Sequence, residues 1–228
     1  MSGEESGETG PIVTRRNLAK ITHERYVEEP QKKIQELNQK LIHDTRFPDL
    51  LNDLGFKEKV TPLVDLATRT DSNVLFVFLD VDRLKPVNDV YGHVGGDRVI
   101  ELLSEELTEH FQRESDELAH RSGDEFLIAI SATEAKEVER LLLEAREEFE
   151  EKSRQIAPDI APSFSFGIAN MRERLVEGYD KDLIRKGNMD TITTEAVNVE
   201  PAFLMMNALQ VAEMRMYSDK ISRGQERK

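Results

Sequence analysis

VLFVFLDVDRLKPVNDVYGHVGGD, residues 74–97, decides the fold of this chain. It opens on an unbroken apolar run from Val74 to Leu79, bounded upstream by Asp71-Ser72-Asn73. An apolar run this short, flanked by turn residues, reads as a strand buried on both faces. Asp80 and Asp82 follow, two residues apart, so an extended chain turns both to one face. Carboxylates at the end of a buried strand are costly unless paired, and a divalent cation suits oxygen donors. The stretch then turns through Lys85-Pro86, passes Asn88-Asp89 and Gly92-His93, and reaches Gly95-Gly96-Asp97 before an amphipathic run begins.

A second stretch, RSGDEF at 121–126, has the shape of a hairpin. Leu118 to His120 is extended in composition, Ser122-Gly123 is turn chemistry, and Phe126 to Ile130 is apolar again. Asp124 and Glu125 then project from a tight turn. If that hairpin pairs beside the first strand, Asp80 and Asp124 can share metal ions. Two carboxylates and a pair of divalent cations suit in-line attack on a nucleotide phosphate.

The pattern D-V-D-x-x-K-x-x-N-D-x-x-G-H-x-x-G-D over 80–97, followed by S-G-D-E-F over 122–126, resembles GGDEF-domain diguanylate cyclases. The resemblance implies that Asp80, Asp124 and the carbonyl of Val81 hold two Mg2+ or Mn2+ ions per active site. It implies that Asp124 aids deprotonation of a 3′-hydroxyl and that Glu125 supports the metal site. Asn88 and Asp97 match a guanine-reading pair, and a carboxylate does accept the N1–H and 2-amino donors that adenine lacks. A helix N-cap is the bland alternative for Asp97. His93 matches a substrate contact, with a structural turn histidine as the alternative.

Lys85 lies in the turn after the strand, where backbone N–H groups and one ammonium suit β/γ-phosphates. Lys220 matches a phosphate-binding lysine, and Arg223 stands one place ahead of the family's arginine, because Gly-Arg is here Arg223-Gly224. Arg113 and Asp116 match an inhibitory site for the product. Ser122 replaces the first glycine of the signature. FPDLLNDLGF, residues 47–56, departs from the family's leading D-x-L-T-x-L-x-N-R motif, with Asp53 in place of the arginine.

Outward from these motifs, the apolar stripe Val99, Ile100, Leu102, Leu103 and Leu107 predicts an amphipathic helix, and 132–152 another. SFSFGIA at 163–169 alternates as a strand, and 201–221 is a final helix. The order is that of an α+β ferredoxin-like palm with a βαββαβ core. Residues 1–11 read as a disordered tail and 12–50 as an N-terminal helical extension. In that extension Ile34, Leu37, Leu41 and Ile42 suit either a surface-packed or a dimer-forming helix. Residues 51–228 form the catalytic-type domain, with an insertion near 171–200 that has hairpin-like composition at 191–199.

The chain has 228 residues, no cysteine and a formal charge of −14. That charge excludes a nucleic-acid polymer as partner, since a phosphate backbone is repelled. Without cysteine there is neither a disulfide framework nor a thiolate metal site. No apolar run approaches the roughly 18–20 residues needed to cross a bilayer, so no membrane partner and a cytoplasmic location are expected. The favoured expectation is a homodimeric diguanylate cyclase joining two GTP into cyclic di-GMP, which also serves as inhibitor. An inactive GGDEF module binding GTP or cyclic di-GMP, and a palm-type transferase making another nucleotide, are the alternatives.

Overall fold

The computed structural model describes residues 20, 23–113, 115–131, 134–175, 191–193 and 199–225. The expected disordered tail, residues 1–11, lies outside them. The chain divides into two compact units, 1–41 and 42–228. In the first, a π-helical stretch at Glu24–Glu28 runs into α1, Glu29–Ile42. Ile34, Leu37 and Leu41 of α1 are exposed, as is Tyr26 ahead of them.

The second unit contains α2 (Asp53–Arg69), β1 (Val74–Asp82), α3 (Leu84–His110), β2 (Asp116–Ser122) and β3 (Glu125–Ser131). These are followed by α4 (Ala135–Ser153), β4 (Ser163–Asn170), β5 (Glu173–Leu175), β6 (Thr191–Thr193) and α5 (Pro201–Ser222). Strands β2-β3-β1-β4, in that order, form a four-stranded sheet, antiparallel throughout. This is the expected βαββαβ order. β1 lies between β3 and β4 and is buried on both faces, which is why its sequence shows no alternation.

Strand parity sorts the core into two layers. Leu75, Val77, Leu79 and Val81 face α3 and α4, meeting Leu103, Leu107, Leu142 and Phe149. Val74, Phe76 and Phe78 face α2 and α5, meeting Phe56, Val60, Val64, Ala208 and Val211. Asp80 and Asp82 share the second parity, so the strand directs both toward the α5 side.

The boundary expected after residue 50 falls instead at Ile42. The reason is hydrogen bonding: Leu51 N–H donates to Leu118 O and His120 N–H to Leu51 O, both at 2.9 Å, so this segment adds to the edge of β2. The altered leading motif still starts its helix, because Asn52 Oδ1 accepts the Gly55 N–H at 2.9 Å as an N-cap. β5 and β6 pair antiparallel and bracket part of the insertion; 176–190 and 194–198 lie outside the described residues.

α5 crosses the sheet at Gly167 of β4. A Cβ there would stand 2.0 Å from Ala212 O and 2.3 Å from Met216 N, both backbone atoms that cannot turn aside. Gly167→Ala is expected to lower stability by about 1–3 kcal/mol through overpacking. Urea unfolding measures this, and an unchanged midpoint would contradict so close a crossing.

Candidate active site

The end of β1 and the β2–β3 turn meet through strand register. Asp80 stands opposite Glu125 of β3 and Ser165 of β4. One residue on, Val81 N–H donates to Asp124 O at 3.0 Å, so the turn folds back over the end of β1. Gly123 takes the left-handed conformation the turn needs, with φ +58°, and Ser122 is not among the positive-φ residues. The β2–β3 register shifts between His120 and Ser122, which leaves Arg121 at a bulge.

His120 anchors this turn from behind. It is buried, with Nδ1 3.0 Å from Asp44 Oδ2 and Nε2 3.2 Å from Gly123 O. Its ring lies between Phe47 and Phe126, 5.0 Å from each. Burial raises the Asp44 carboxyl, but the bond to His120 and the N–H groups of Phe47 and Arg46 outweigh it, and the net shift is downward.

The two β1 carboxylates share one lysine. Lys220, 6% exposed near the end of α5, bonds Asp80 Oδ1 and lies 3.5 Å from Asp82 Oδ1. Asp82 is fully buried and also accepts from Ser165 Oγ at 3.0 and 2.9 Å and from Arg223 at 3.2 Å. Burial still pushes its carboxyl above the ordinary value, beyond what Lys220, Ser165 and Arg223 restore.

Arg223 departs from expectation. Its guanidinium bonds Asp82, Phe164 O at 2.8 Å, Glu150 at 2.9 Å and Ser163 Oγ at 2.8 Å. With both terminal nitrogens so engaged, it braces the α4–β4 side rather than extending toward a phosphate.

On α3, Arg83 adopts a left-handed conformation (φ 63°) and the helix begins at Leu84. Lys85 and His93 are exposed and make no hydrogen bond or ion pair among the described residues. Gly92 breaks the helix with φ 72° and ψ 172°, so the second segment starts at His93 and Asp97 lies a turn inside it. Asp97 is therefore no N-cap, and its carboxylate is available for another task. Asn88 packs on Gly96, where a Cβ would stand 2.0 Å from its Oδ1. The same crossing brings Asn88 beside Asp97. Asp97 Oδ1 accepts from Arg46 Nη1 at 2.9 Å.

Arg113 and Asp116 meet in one turn. Asp116 N–H donates to Arg113 O at 2.9 Å, and Arg113 N–H reaches Asp116 Oδ2 at 3.3 Å. The Arg113 side chain stays exposed, and burial pushes the Asp116 carboxyl up.

Residues 43–189 match the family profile described as "Diguanylate cyclase, GGDEF domain". The chain belongs to the GGDEF family. It is 33% identical over 105 residues to the probable diguanylate cyclase DgcJ of Escherichia coli K12, covering 46% of this chain and 20% of that protein. It is 32% identical over 124 residues to the diguanylate cyclase DosC of the same strain, covering 51% and 27%. The matched region thus spans about a quarter or less of these relatives. In fold, it is similar to the coiled coil and GGDEF domain of DgcB from Caulobacter crescentus in complex with c-di-GMP. That likeness has a TM-score of 0.66 at 19% identity, over 92% of this chain and 94% of that one.

In this GGDEF domain the donors at the β1 end are hard oxygens: Asp80, Asp124 and the backbone of Val81. They fit Mg2+ or Mn2+, with Lys220 as the internal cation already beside Asp80. Among the described residues, the acid triad close enough to hold a metal is elsewhere, at Glu106, Glu109 and Glu148. There Lys152 already sits 2.6 Å from Glu106.

Three contributors were missed from the sequence. Asp82 carried a signal, its two-residue spacing from Asp80. Asp44 and Arg46 carried none, because each acts on a residue far along the chain.

The Asp44–His120 contact has a pH signature. A carboxyl held below its ordinary value of 3.8 stabilises the fold above that value and loses the contribution as pH falls through the folded one. Asp44→Asn is expected to lower Tm at neutral pH, with the gap to wild type closing as pH drops below 3.8. A constant gap in thermal melts across that range would contradict the assignment.

Proposed function

We propose that this GGDEF domain is a diguanylate cyclase that condenses two GTP into cyclic di-GMP and two pyrophosphates. The observation that carries the reading is the register placing Asp80 opposite Glu125, with Val81 N–H bonded to Asp124 O at 3.0 Å. That register gathers hard oxygen donors beside the exposed start of α3.

Two divalent cations, Mg2+ or Mn2+, held by Asp80, Asp124 and the Val81 carbonyl, would neutralise the triphosphate and the leaving pyrophosphate. Asp124 accepts the proton of the attacking 3′-hydroxyl, and Glu125 steadies the carboxylate cluster. Each 3′-oxygen forms a bond to the α-phosphorus of the other nucleotide, and each α–β phosphoanhydride breaks. The unpaired N–H groups of the first α3 turn and the Lys85 ammonium hold β- and γ-phosphates. Lys220 contributes its charge through Asp80. Asn88 and Asp97 read guanine, and His93 lines the same side. Two sites must face each other, so a homodimer is required.

A second reading, a binding module without turnover, is favoured by the engagement of Arg223 with Asp82, Glu150, Ser163 and Phe164. That engagement removes one cation from the phosphate side.

Chromatography of products after incubation with GTP and Mg2+ or Mn2+ separates the two readings. Cyclic di-GMP is expected from wild type, and Asp124→Asn is expected to lower its formation at least a hundredfold, by analogy with loss of a general base. Unimpaired synthesis by that variant would remove Asp124 from the reaction. GTP binding without product in wild type would favour the module.

The turn carrying Arg113 and Asp116 is assigned to product binding. Cyclic di-GMP is expected to inhibit wild type, and Arg113→Ala to relieve the inhibition while leaving initial rates unchanged. Calorimetry giving equal product affinity for both proteins would refute the site.

A further inference from the structure

Arg46 lies in the segment between α1 and α2, outside every motif that identified the family. Its guanidinium donates from Nη1 to Asp97 Oδ1 at 2.9 Å and from Nη2 to the Asp97 carbonyl at 2.8 Å. Nη2 is also 3.7 Å from Glu101, one helical turn further on. The approach is therefore from the C-terminal side of Asp97. Helical side chains lean toward the N-terminus, which for Asp97 is the side of Gly96 and Asn88. Arg46 takes one carboxylate oxygen from behind, and Oδ2 has no partner among the described residues.

Arg46 is itself held at its base. Its N–H donates to Asp44 Oδ1 at 2.7 Å, and the other oxygen of Asp44 bonds His120 at 3.0 Å. The guanidinium lies 5.0 Å over the ring of Phe47, which is buried. A fork fixed by its own backbone turn and by an aromatic face is already oriented before it meets Asp97.

Asp97 needs such a hold. Its side chain is 53% exposed and, Arg46 aside, nothing in the described structure bonds it. An exposed carboxylate samples several rotamers, and a base must then select one of them.

We propose that Arg46 is a positioning and specificity-determining residue for guanine, holding Asp97 so that its open oxygen faces the N1–H and 2-amino group. This rests on the base-reading role of Asp97 given above. A guanidinium carries the same kind of N–H pair as the guanine edge, so the opposite role, a competitor for Asp97, predicts the opposite sign.

The test is calorimetry of GTP and ATP with the full chain and Mg2+, comparing wild type, Arg46→Ala, Arg46→Lys, Asp97→Ala and the double variant Arg46→Ala/Asp97→Ala. Thermal melts verify folding, and Arg46→Gln replaces Arg46→Ala if the latter does not fold. Arg46→Ala is expected to weaken GTP roughly three- to fivefold, the scale of a partly exposed ion pair, and to leave ATP unchanged. Arg46→Lys keeps the charge without the fork and is expected to recover part of the preference. In the Asp97→Ala background, Arg46→Ala is expected to have no further effect.

An unchanged GTP-to-ATP ratio in Arg46→Ala, tighter GTP binding, or an equal loss without Asp97 would each overturn the proposal. A wild type that binds GTP and ATP alike would instead overturn the base-reading assignment of Asn88 and Asp97, and this inference with it.

Discussion

Two carboxylates at the end of the central strand, and the lysine between them, constrain everything around them. Moving an ion out of water costs several kcal/mol even after relaxation, and Asp82 is fully buried. Its cost is offset by Lys220, Arg223 and the Ser165 hydroxyl, drawn from α5 and β4. α5 must therefore end beside β1, and it reaches that position only by crossing β4 at Gly167. The apolar layer of α2 and α5 supplies stability, but the ion cluster determines where the helix stops. The same lysine bonds Asp80, so the buried structural pair and the exposed chemical pair are electrostatically one group.

The exchange of Gly-Arg for Arg-Gly at the end of α5 follows from how that helix terminates. Gly224 has φ 66°, and its N–H bonds Ile221 O, while Gln225 N–H bonds Lys220 O. This double closure is a Schellman ending, which places the glycine just beyond the last helical turn. Arg223, one residue earlier, stays on the helix and points back to Asp82 and Glu150. Gln225 then accepts from Arg83, tying the ending to the start of α3. The swap converts a residue expected at a phosphate into a brace.

Local patterns made the fold legible. The apolar run ending in Asp80, the turn at Ser122-Gly123 and the stripes of α3 and α4 each depend on neighbours within a few residues. The helix start near Asp97 was misjudged because Gly92, not Gly95-Gly96, breaks α3. The supports of the site were not legible. Arg46 meets Asp97 across 51 residues and Asp44 meets His120 across 76, separations at which periodicity carries no information. Both lie in the stretch whose motif departs from the family, so the resemblance offered no substitute for the missing signal.

Ser122 and Arg223 are the two departures closest to the chemistry, and they differ in physical consequence. A glycine is required in a turn only where φ is positive or a Cβ would collide. The positive φ falls on the retained Gly123, and Ser122 ends β2 outside that region. The turn still directs Asp124 onto Val81, so the serine leaves the backbone hydrogen bond intact. Arg223 is different, because its charge has been spent on Asp82 and Glu150. Lys220 is likewise committed to Asp80, which leaves Lys85 as the family's phosphate-side cation without a partner among the described residues. Triphosphate charge must then be met chiefly by the backbone N–H groups of α3, by Lys85 and by bound metal. The departure that bears on turnover is the supply of positive charge, not the geometry of the signature turn.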